Sequence, residues 1–473
     1  MKLLSVIPAS AKIGSGSLIS IGIEFLTMLY LMRQLGPDPF GLFAMAMSLL
    51  VLLRIMQDGG AGAYLVSKRG GDARTTSAAF IVALLFSLVL IFFAYFISPA
   101  ITWFYEDSRI EDVWIALSFL IFFSAINTIP TSLAQREQRF FLYSWIPVLA
   151  HIAASTASIM VAQERQDVWP IVSYHVVLTV VSMLLFWLVV RPKLAWPTPD
   201  DLNKVLRFSK GLISYQLLSA LNRNADNVLI GKFLGSQALG DYGVGYRMLT
   251  LPLRKIGGMV STLAYPRLSG LSGDISAVIR GLSEVMREVA LFSTPFCIGV
   301  AIVSEELILV TIGPEWAGAR FPLLVFALLG IYQAPFSLMG LSYLITRKTS
   351  IMAKWGMIST PVIILSFIAG LPWGIDGVAV AYSTASLLLS VPMVRMASSV
   401  LSASPLDLIK GPLKGIGHGV IFSIPIVMVY FVVLKGGGDS LMVLIATIFA
   451  GSIVETMLYL RVMRIRREHG SLW

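Results

Sequence analysis

Charge is scarce in this chain. Asp, Glu, Lys and Arg supply 13% of its 473 residues, where a soluble domain carries roughly 25%, so there is too little polar surface to clothe a water-soluble fold of this length. Cysteine is almost absent: the single Cys297 excludes an intrachain disulfide and a multi-cysteine metal site. Histidine occurs four times, and no zinc-binding HExxH pair, phosphate-binding GxxxxGK[ST] loop or serine nucleophile elbow is found. Bond-making chemistry, a metal and a cofactor are therefore not expected. No connecting segment is long enough to fold as a soluble domain. The first residues, MKLLSVIPASAK, carry a lysine, a short apolar patch and an Ala9-Ser10-Ala11 spacing that resembles a signal-peptidase site, but a fuller apolar span follows at once.

What is abundant is apolar sequence, 56% of residues. It comes in runs of about 20 residues, the length of a helix that crosses hydrocarbon, and backbone in lipid must bond to itself, so each run is expected to be helical. The expected fold is an all-α polytopic membrane protein with about fourteen transmembrane helices. Six spans fall between residues 13 and 190, six between 211 and 397, and a last pair at 412–434 and 440–460. The connections at 191–210 and 267–288 suit surface helices.

The 36 Lys and Arg and 26 Asp and Glu give a net charge of +10. Most of the bases gather at the two termini and on the even-numbered loops, while the odd loops are acidic, as in EDSRIED (106–112) and SEEL (304–307). Cytoplasmic loops accumulate Lys and Arg, so both termini are expected in the cytoplasm. The excess charge is then an orientation signal, and nucleic acid is not an expected partner. Trp103, Trp114, Trp169 and Trp316 fall near the outer interface, as an aromatic belt would.

The chain also echoes itself. LGPDPFGLF (35–43) and LGSQALGDY (234–242) each hinge two apolar segments, and with Gly36 laid on Gly235, 199 residues later, Gly41 falls on Gly240, Phe43 on Tyr242 and Arg33 on Lys232. Pro130 and Pro335 form a second echo, each ahead of a basic loop. Six spans per half makes the halves enter the membrane in the same direction, and a substrate site is expected between such parallel repeats. The expected domains are an N-terminal lobe at 1–200, a C-terminal lobe at 201–400, and two additional helices with a basic tail at 401–473.

Nine charges lie inside spans: Glu24, Arg54, Asp58, Arg223, Asp226, Arg247, Arg254, Lys255 and Glu455. A charge at mid-span costs about 2.5–3.5 kcal/mol, so such groups usually face an interior or a wet cavity. All but Glu455 fall in the first two spans of each half. Arg54 and Asp58, four apart, have the spacing of an internal ion pair, and Asp58 and Lys255 sit where long side chains snorkel to water. Arg223 and Arg247 are near mid-span. A guanidinium stays charged and grips phosphate or carboxylate oxygens bidentately, so this set is read as an anion site. Asp226 lies three residues after Arg223 and either neutralises it or binds a coupling cation; both roles stay open. Gly240, Gly243 and Gly245 allow close approach of a ligand or of a neighbouring helix. His151 and His175 are proton-relay candidates whose commoner role is a satisfied core histidine.

NRNADNVLIGKFLGSQALGDYGVGYRMLTLPL (222–253), its echo RQLGPDPFGLF (33–43) and PTSLAQREQRF (130–140) resemble the Wzx-type polysaccharide and O-antigen flippases of the multidrug/oligosaccharidyl-lipid/polysaccharide exporter superfamily. The central stretch looks most like the colanic acid exporter branch. The resemblance covers nearly the whole chain. It implies two six-helix lobes plus two helices in the bacterial inner membrane, a cationic cleft that alternates its access, and an undecaprenyl-pyrophosphate-linked oligosaccharide as substrate. By helix position it implies substrate contacts from Arg54 and Arg254, with Arg223, Arg247 and Lys255 completing the basic set. Glu24, Asp58 and Asp226 are left for charge pairing or a coupling cation, H+ or Na+. Helix 1 departs from the pattern, holding Glu24 and no arginine. Membrane lipids and other polysaccharide-assembly proteins are the implied partners. Two other functions fit part of the pattern: an ion-coupled multidrug or small-solute antiporter, which would favour acidic cavities, and a membrane glycosyltransferase or polymerase, which would carry a large outer loop.

Overall fold

A computed structural model describes residues 7–68 and 72–469, with side chains described except at 7–15, 209–223, 251, 349, 353 and 463–469. Helices account for nearly all of it, and no strand occurs among the described residues. Eleven described stretches are long and apolar enough to cross a membrane; one of them, Ser350–Val400, contains two helices in succession. The two arms of one long, more polar helix complete the expected fourteen. Rows of exposed large apolar side chains, such as Phe92, Phe93 and Phe96 or Ile445, Ile448 and Phe449, form the surface that hydrocarbon covers.

The chain divides into two compact units, Met1–Gly240 and Asp241–Trp473. In the first, α1 (Ile7–Leu35), α2 (Pro37–Met56), the short α3 (Ala61–Ser67), α4 (Ala73–Tyr105), α5 (Arg109–Arg136), α6 (Phe140–Glu164) and α7 (Trp169–Val190) pack chiefly as the pairs α1–α6, α6–α7, α4–α5 and α5–α7. Small residues bring the helices close: Ala61, Ala78, Ala79, Ala83 and Ala125 share a buried cluster with Ile129, Leu133 and Val205. Asp72 starts α4 by accepting a hydrogen bond from the Thr75 amide at 2.9 Å, which satisfies one of the helix's unpaired donors. Residues 191–198 have no regular secondary structure, so the expected surface helix there begins only at Pro199, as the start of α8 (Pro199–Gly270).

Helix α8 is interrupted at Gly235, whose φ of 87° and ψ of 178° lie outside the helical region. Gly36, between α1 and α2, has nearly the same backbone, φ 70° and ψ −174°. Positive φ costs glycine nothing and strains any other residue, so the glycine pair noted in the sequence marks one backbone device used twice. The two turns also pack on each other. A Cβ at Gly41 would overlap the Ser236 carbonyl, and one at Gly240 would overlap the Pro37 carbonyl. In the 199-residue register Pro37 corresponds to Ser236 and Gly41 to Gly240, so each turn presents the same glycine to the same carbonyl position of the other.

Charged groups tie this crossing together. The Arg109 guanidinium donates to Asp38 at 2.7 and 3.1 Å and to Asp107 at 2.7 Å, and the Ser236 hydroxyl donates to Asp38. Lys232 Nζ reaches Glu106 at 2.6 Å, and this contact holds the Glu106 carboxyl below its usual range.

The second unit is built from the 241–270 arm of α8, α9 (Ile275–Ile302), α10 (Ser304–Thr311), α11 (Arg320–Phe336), α12 (Gly340–Ile345), α13 (Thr349–Gly370), α14 (Gly374–Val400), α15 (Pro405–Lys435) and α16 (Ser440–His469). Only a short turn separates α8 from α9, so the connection expected as a surface helix at 267–288 is continuous with the spans. The principal seam is α9 on α15. Gly411, Gly415 and Gly419, one per turn of α15, lie against Ser283, Arg287 with Ala290, and Thr294 of α9, the small-residue spacing that lets membrane helices pack by backbone approach. Pro335 ends α11 in a 3-10 turn at Ser337–Met339, whereas its echo Pro130 sits inside an unbroken α5.

Two of the four belt tryptophans are core residues instead. Trp114 is 2% exposed, its indole N–H donating to the Ala94 carbonyl at 2.8 Å, and Trp316 is fully buried. A tryptophan near a span end satisfies either role, and here tertiary packing decides. Trp103 alone among the four is broadly exposed, at 80%.

Replacing Gly41 or Gly240 with valine is expected to lower stability by about 1–3 kcal/mol through overpacking. Gly258→Ala, which meets open space, should change it by less than about 0.5 kcal/mol. Thermal unfolding in detergent reads both. Gly415→Val should destabilise similarly by forcing α15 off α9.

Candidate functional site

Each unit carries its own share of the intramembrane charge. In the first unit Arg54 ends α2, half-buried, and Asp58 follows on the next turn. They form no ion pair with each other. The Asp58 carboxylate accepts instead from the amides of Gly60 at 3.0 Å and Gly62 at 3.3 Å, opening α3. The i, i+4 spacing brought both charges to one end of α2, but a carboxylate just before a helix meets its unpaired N–H groups first. Arg54 is thereby left without an anionic partner among the described residues.

Glu24 on α1 is exposed, and between α6 and α7 His151 Nδ1 and the Tyr174 hydroxyl are 2.7 Å apart. Thr27, one turn beyond Glu24, donates to Ser155 at 2.7 Å, and Ser155 donates in turn to the His151 carbonyl at 2.7 Å. His175 lies apart from this group, stacked on Phe43 at 4.7 Å. Asp226, on the first arm of α8, is buried, and one of its oxygens accepts from the Asn227 amide at 2.9 Å. The Arg223 side chain lies outside the described residues.

In the second unit Arg247, Arg254 and Lys255 all stand exposed on the second arm of α8. Arg247 and Arg254 are seven apart, two turns along one face. Arg254 borders a cavity of about 380 Å³ formed with α11, α13 and α14, and Lys255 does not. Its guanidinium donates to the Tyr246 hydroxyl at 2.7 Å and lies 5.7 Å from the centre of that ring. Such a cation–π contact fixes the arginine's direction while leaving most of its donors unused.

Aromatic packing holds the cavity's frame. Tyr246 is parallel to Tyr242 at 6.2 Å and meets Phe326 edge-on at 5.4 Å. Tyr382 stacks on Phe367 at 5.4 Å, and its hydroxyl accepts from Gln333 Nε2 at 3.2 Å. Thr250, Tyr332, Phe336, Ser337, Trp355, Ser359 and Ser386 complete the polar and aromatic lining. Flat rings, hydroxyls, an amide and one oriented guanidinium suit a ligand with both polar faces and an anionic group. No group of three or more metal-ligating side chains occurs among the described residues.

The sequence reading reached Arg254 through its charge. It missed Tyr332, Gln333, Trp355 and Tyr382, because uncharged polar and aromatic residues in apolar helices look like packing. Gln333, an amide between Tyr332 and Ala334 in an otherwise apolar run, was the available signal.

Known proteins resemble this chain along most of its length. The lipid II flippase MurJ, in an inward closed conformation, superposes with a TM-score of 0.71 at 20% identity, covering 94% of this chain and 99% of MurJ, a likeness of fold. The probable low-salt glycan biosynthesis flippase Agl15 of Haloferax volcanii is 23% identical over 97% of this chain and 96% of its own. The teichuronic acid biosynthesis protein TuaB of Bacillus subtilis is 25% identical over 64% of each chain, so the match spans less than two thirds of that relative. The family described as polysaccharide biosynthesis protein matches residues 30–320. That match takes in both glycine turns and the whole second arm of α8, and the chain belongs to that family.

Proposed function

We propose that this protein is a flippase that carries a polyprenyl-pyrophosphate-linked oligosaccharide across the bacterial inner membrane for surface or exported polysaccharide. One observation carries the reading: an arginine, Arg254, held by Tyr246 at the edge of an aromatic, hydroxyl-lined cavity inside a membrane fold. The physical task fits those parts. Hydrocarbon refuses both a pyrophosphate and a sugar, while the lipid tail can stay in the bilayer, so the protein need only solvate the head group. Arg54, Arg223, Arg247 and Arg254 supply charge for the pyrophosphate, with Lys255 near the membrane boundary. The ring faces of Tyr246, Tyr332 and Tyr382 and the side chain of Gln333 supply surface for a sugar. The names of Agl15 and MurJ, both flippases, support the substrate class.

Transport by alternating access would use the six-helix lobes at 1–200 and 201–400, with 401–473 as an addition. Lys and Arg distribution supports cytoplasmic termini. A coupling cation, H+ or Na+, would bind at Glu24, which is exposed, or at Asp226, which is buried. Other polysaccharide-assembly proteins would receive the product. A drug antiporter is the lesser reading, since the cavity that Arg254 borders carries a guanidinium and no carboxylate.

The decisive experiment reconstitutes the purified protein in liposomes and follows exposure of a lipid-linked oligosaccharide to an added enzyme. Wild type should accelerate exposure over empty liposomes, and Arg254→Gln should cut the rate about tenfold or more, the loss of one charge-assisted hydrogen bond. Tyr382→Ala should cost less, about two- to tenfold. No acceleration by the wild type across several glycans, with drug efflux instead, would replace this reading with the antiporter. Equal rates for wild type and Arg254→Gln would remove Arg254 from the site. In cells, Arg223→Gln with Arg247→Gln should abolish polymer export at unchanged protein level.

A further inference from the structure

The structure assigns a second, separate binding site to the end of the α9–α15 seam, and we propose that it holds the phosphate headgroup of an anionic membrane phospholipid. A concavity of about 470 Å³ opens where the first turns of α9 and α15 run side by side. Four bases edge it, Arg280 and Arg287 from α9 and Lys410 and Lys414 from α15, against two acids, Glu284 and Asp407. The acids do not cancel the bases. Arg287 pairs with Glu284 at 3.1 Å and Lys410 reaches Asp407 only at 3.9 Å, while Arg280 turns toward Asp274 at 3.9 Å. Lys414 has no ion-pair partner among the described residues.

Three further features give the site its direction. The glycine seam aligns α9 and α15 in parallel, Gly411 on Ser283 and Gly415 on Arg287, so both helices begin at this end and both positive dipole ends face it. The polar rim is continuous with an apolar surface: Leu406, Leu413, Val420, Ile421, Ile424 and Met428 descend α15, each between 47% and 63% exposed. Leu413 itself lies between Lys410 and Lys414 in sequence. A soluble anion uses only the bases, whereas a phospholipid uses both, its phosphate at the rim and its acyl chains along α15. Basic pockets between membrane helices near the headgroup level favour such lipids. The site shares no residue with the Arg254 cavity, and it does not depend on what that cavity transports.

The test uses the full-length protein in phosphatidylcholine nanodiscs doped with phosphatidylglycerol, scoring retained phosphatidylglycerol by native mass spectrometry. Wild type should keep the anionic lipid through dilution into neutral lipid, and the double variant Lys410→Gln/Lys414→Gln should keep about tenfold less. Lys410→Arg/Lys414→Arg, which preserves charge, should bind as wild type, and so should Lys435→Gln, at the opposite end of the same helix. Equal retention by wild type and the double glutamine variant would overturn the assignment. An equal loss in Lys435→Gln would also overturn it, showing a diffuse surface potential. So would displacement of the lipid by inorganic phosphate at matched concentration, which would make the site one for a soluble anion.

Discussion

Two membrane helices joined by a single residue can reverse only if that residue takes a backbone few side chains tolerate and the turn is held close to something solid. Gly36 and Gly235 meet the first demand with nearly identical positive-φ backbones, and the helix starts beyond them meet the second, Gly41 packing on Ser236 and Gly240 on Pro37. Several side chains of the first unit gather at this crossing. Arg109 and Ser236 converge on Asp38, Lys232 holds Glu106, and the Gly231 backbone closes on Met45 and Tyr105. The first arm of α8 is bound to the first unit in this way, and the compact unit ends at Gly240, beyond the residue-200 boundary expected from the sequence.

Intramembrane charge follows a different logic in the two units. Asp58 is consumed by backbone, accepting from the amides that begin α3. Arg254 is oriented by a tyrosine and keeps donors to spare. The difference lies in what each charge meets first. A carboxylate beside a helix start finds N–H groups within reach, whereas a guanidinium over an aromatic face is steered without being neutralised. An aromatic partner lets a cation remain in a membrane fold and still be available to a ligand.

The fold was legible because hydrocarbon length and backbone hydrogen bonding leave few choices. The glycine echo was legible too, since positive φ is a backbone demand that a sequence states openly. The candidate cavity was legible only at Arg254. Its tyrosines, Trp355 and Gln333 carry no charge, and in a chain of 56% apolar residues an aromatic facing a cavity and one facing lipid are written alike. Trp114 and Trp316 show the same ambiguity in reverse, being interface residues by position and core residues by packing. The α9–α15 glycine seam was in plain view as GPLKGIGHG, yet its partner face on α9 is Ser283, Ala290 and Thr294, residues that announce nothing until the helices meet.

The crossing has the form of an isologous interface, in which position i of one surface meets position j of the other and j meets i in return. Such contacts ordinarily join two copies of a chain. Here both partners belong to one polypeptide, Gly41 on Ser236 and Gly240 on Pro37. A half-length chain with a single hinge would expose a bare glycine notch and an unpacked turn until a second copy supplied them. Joining the copies makes that association unimolecular and independent of concentration, and it frees each hinge to acquire what its twin lacks: Asp38 and its arginine clasp on one side, Ser236 on the other.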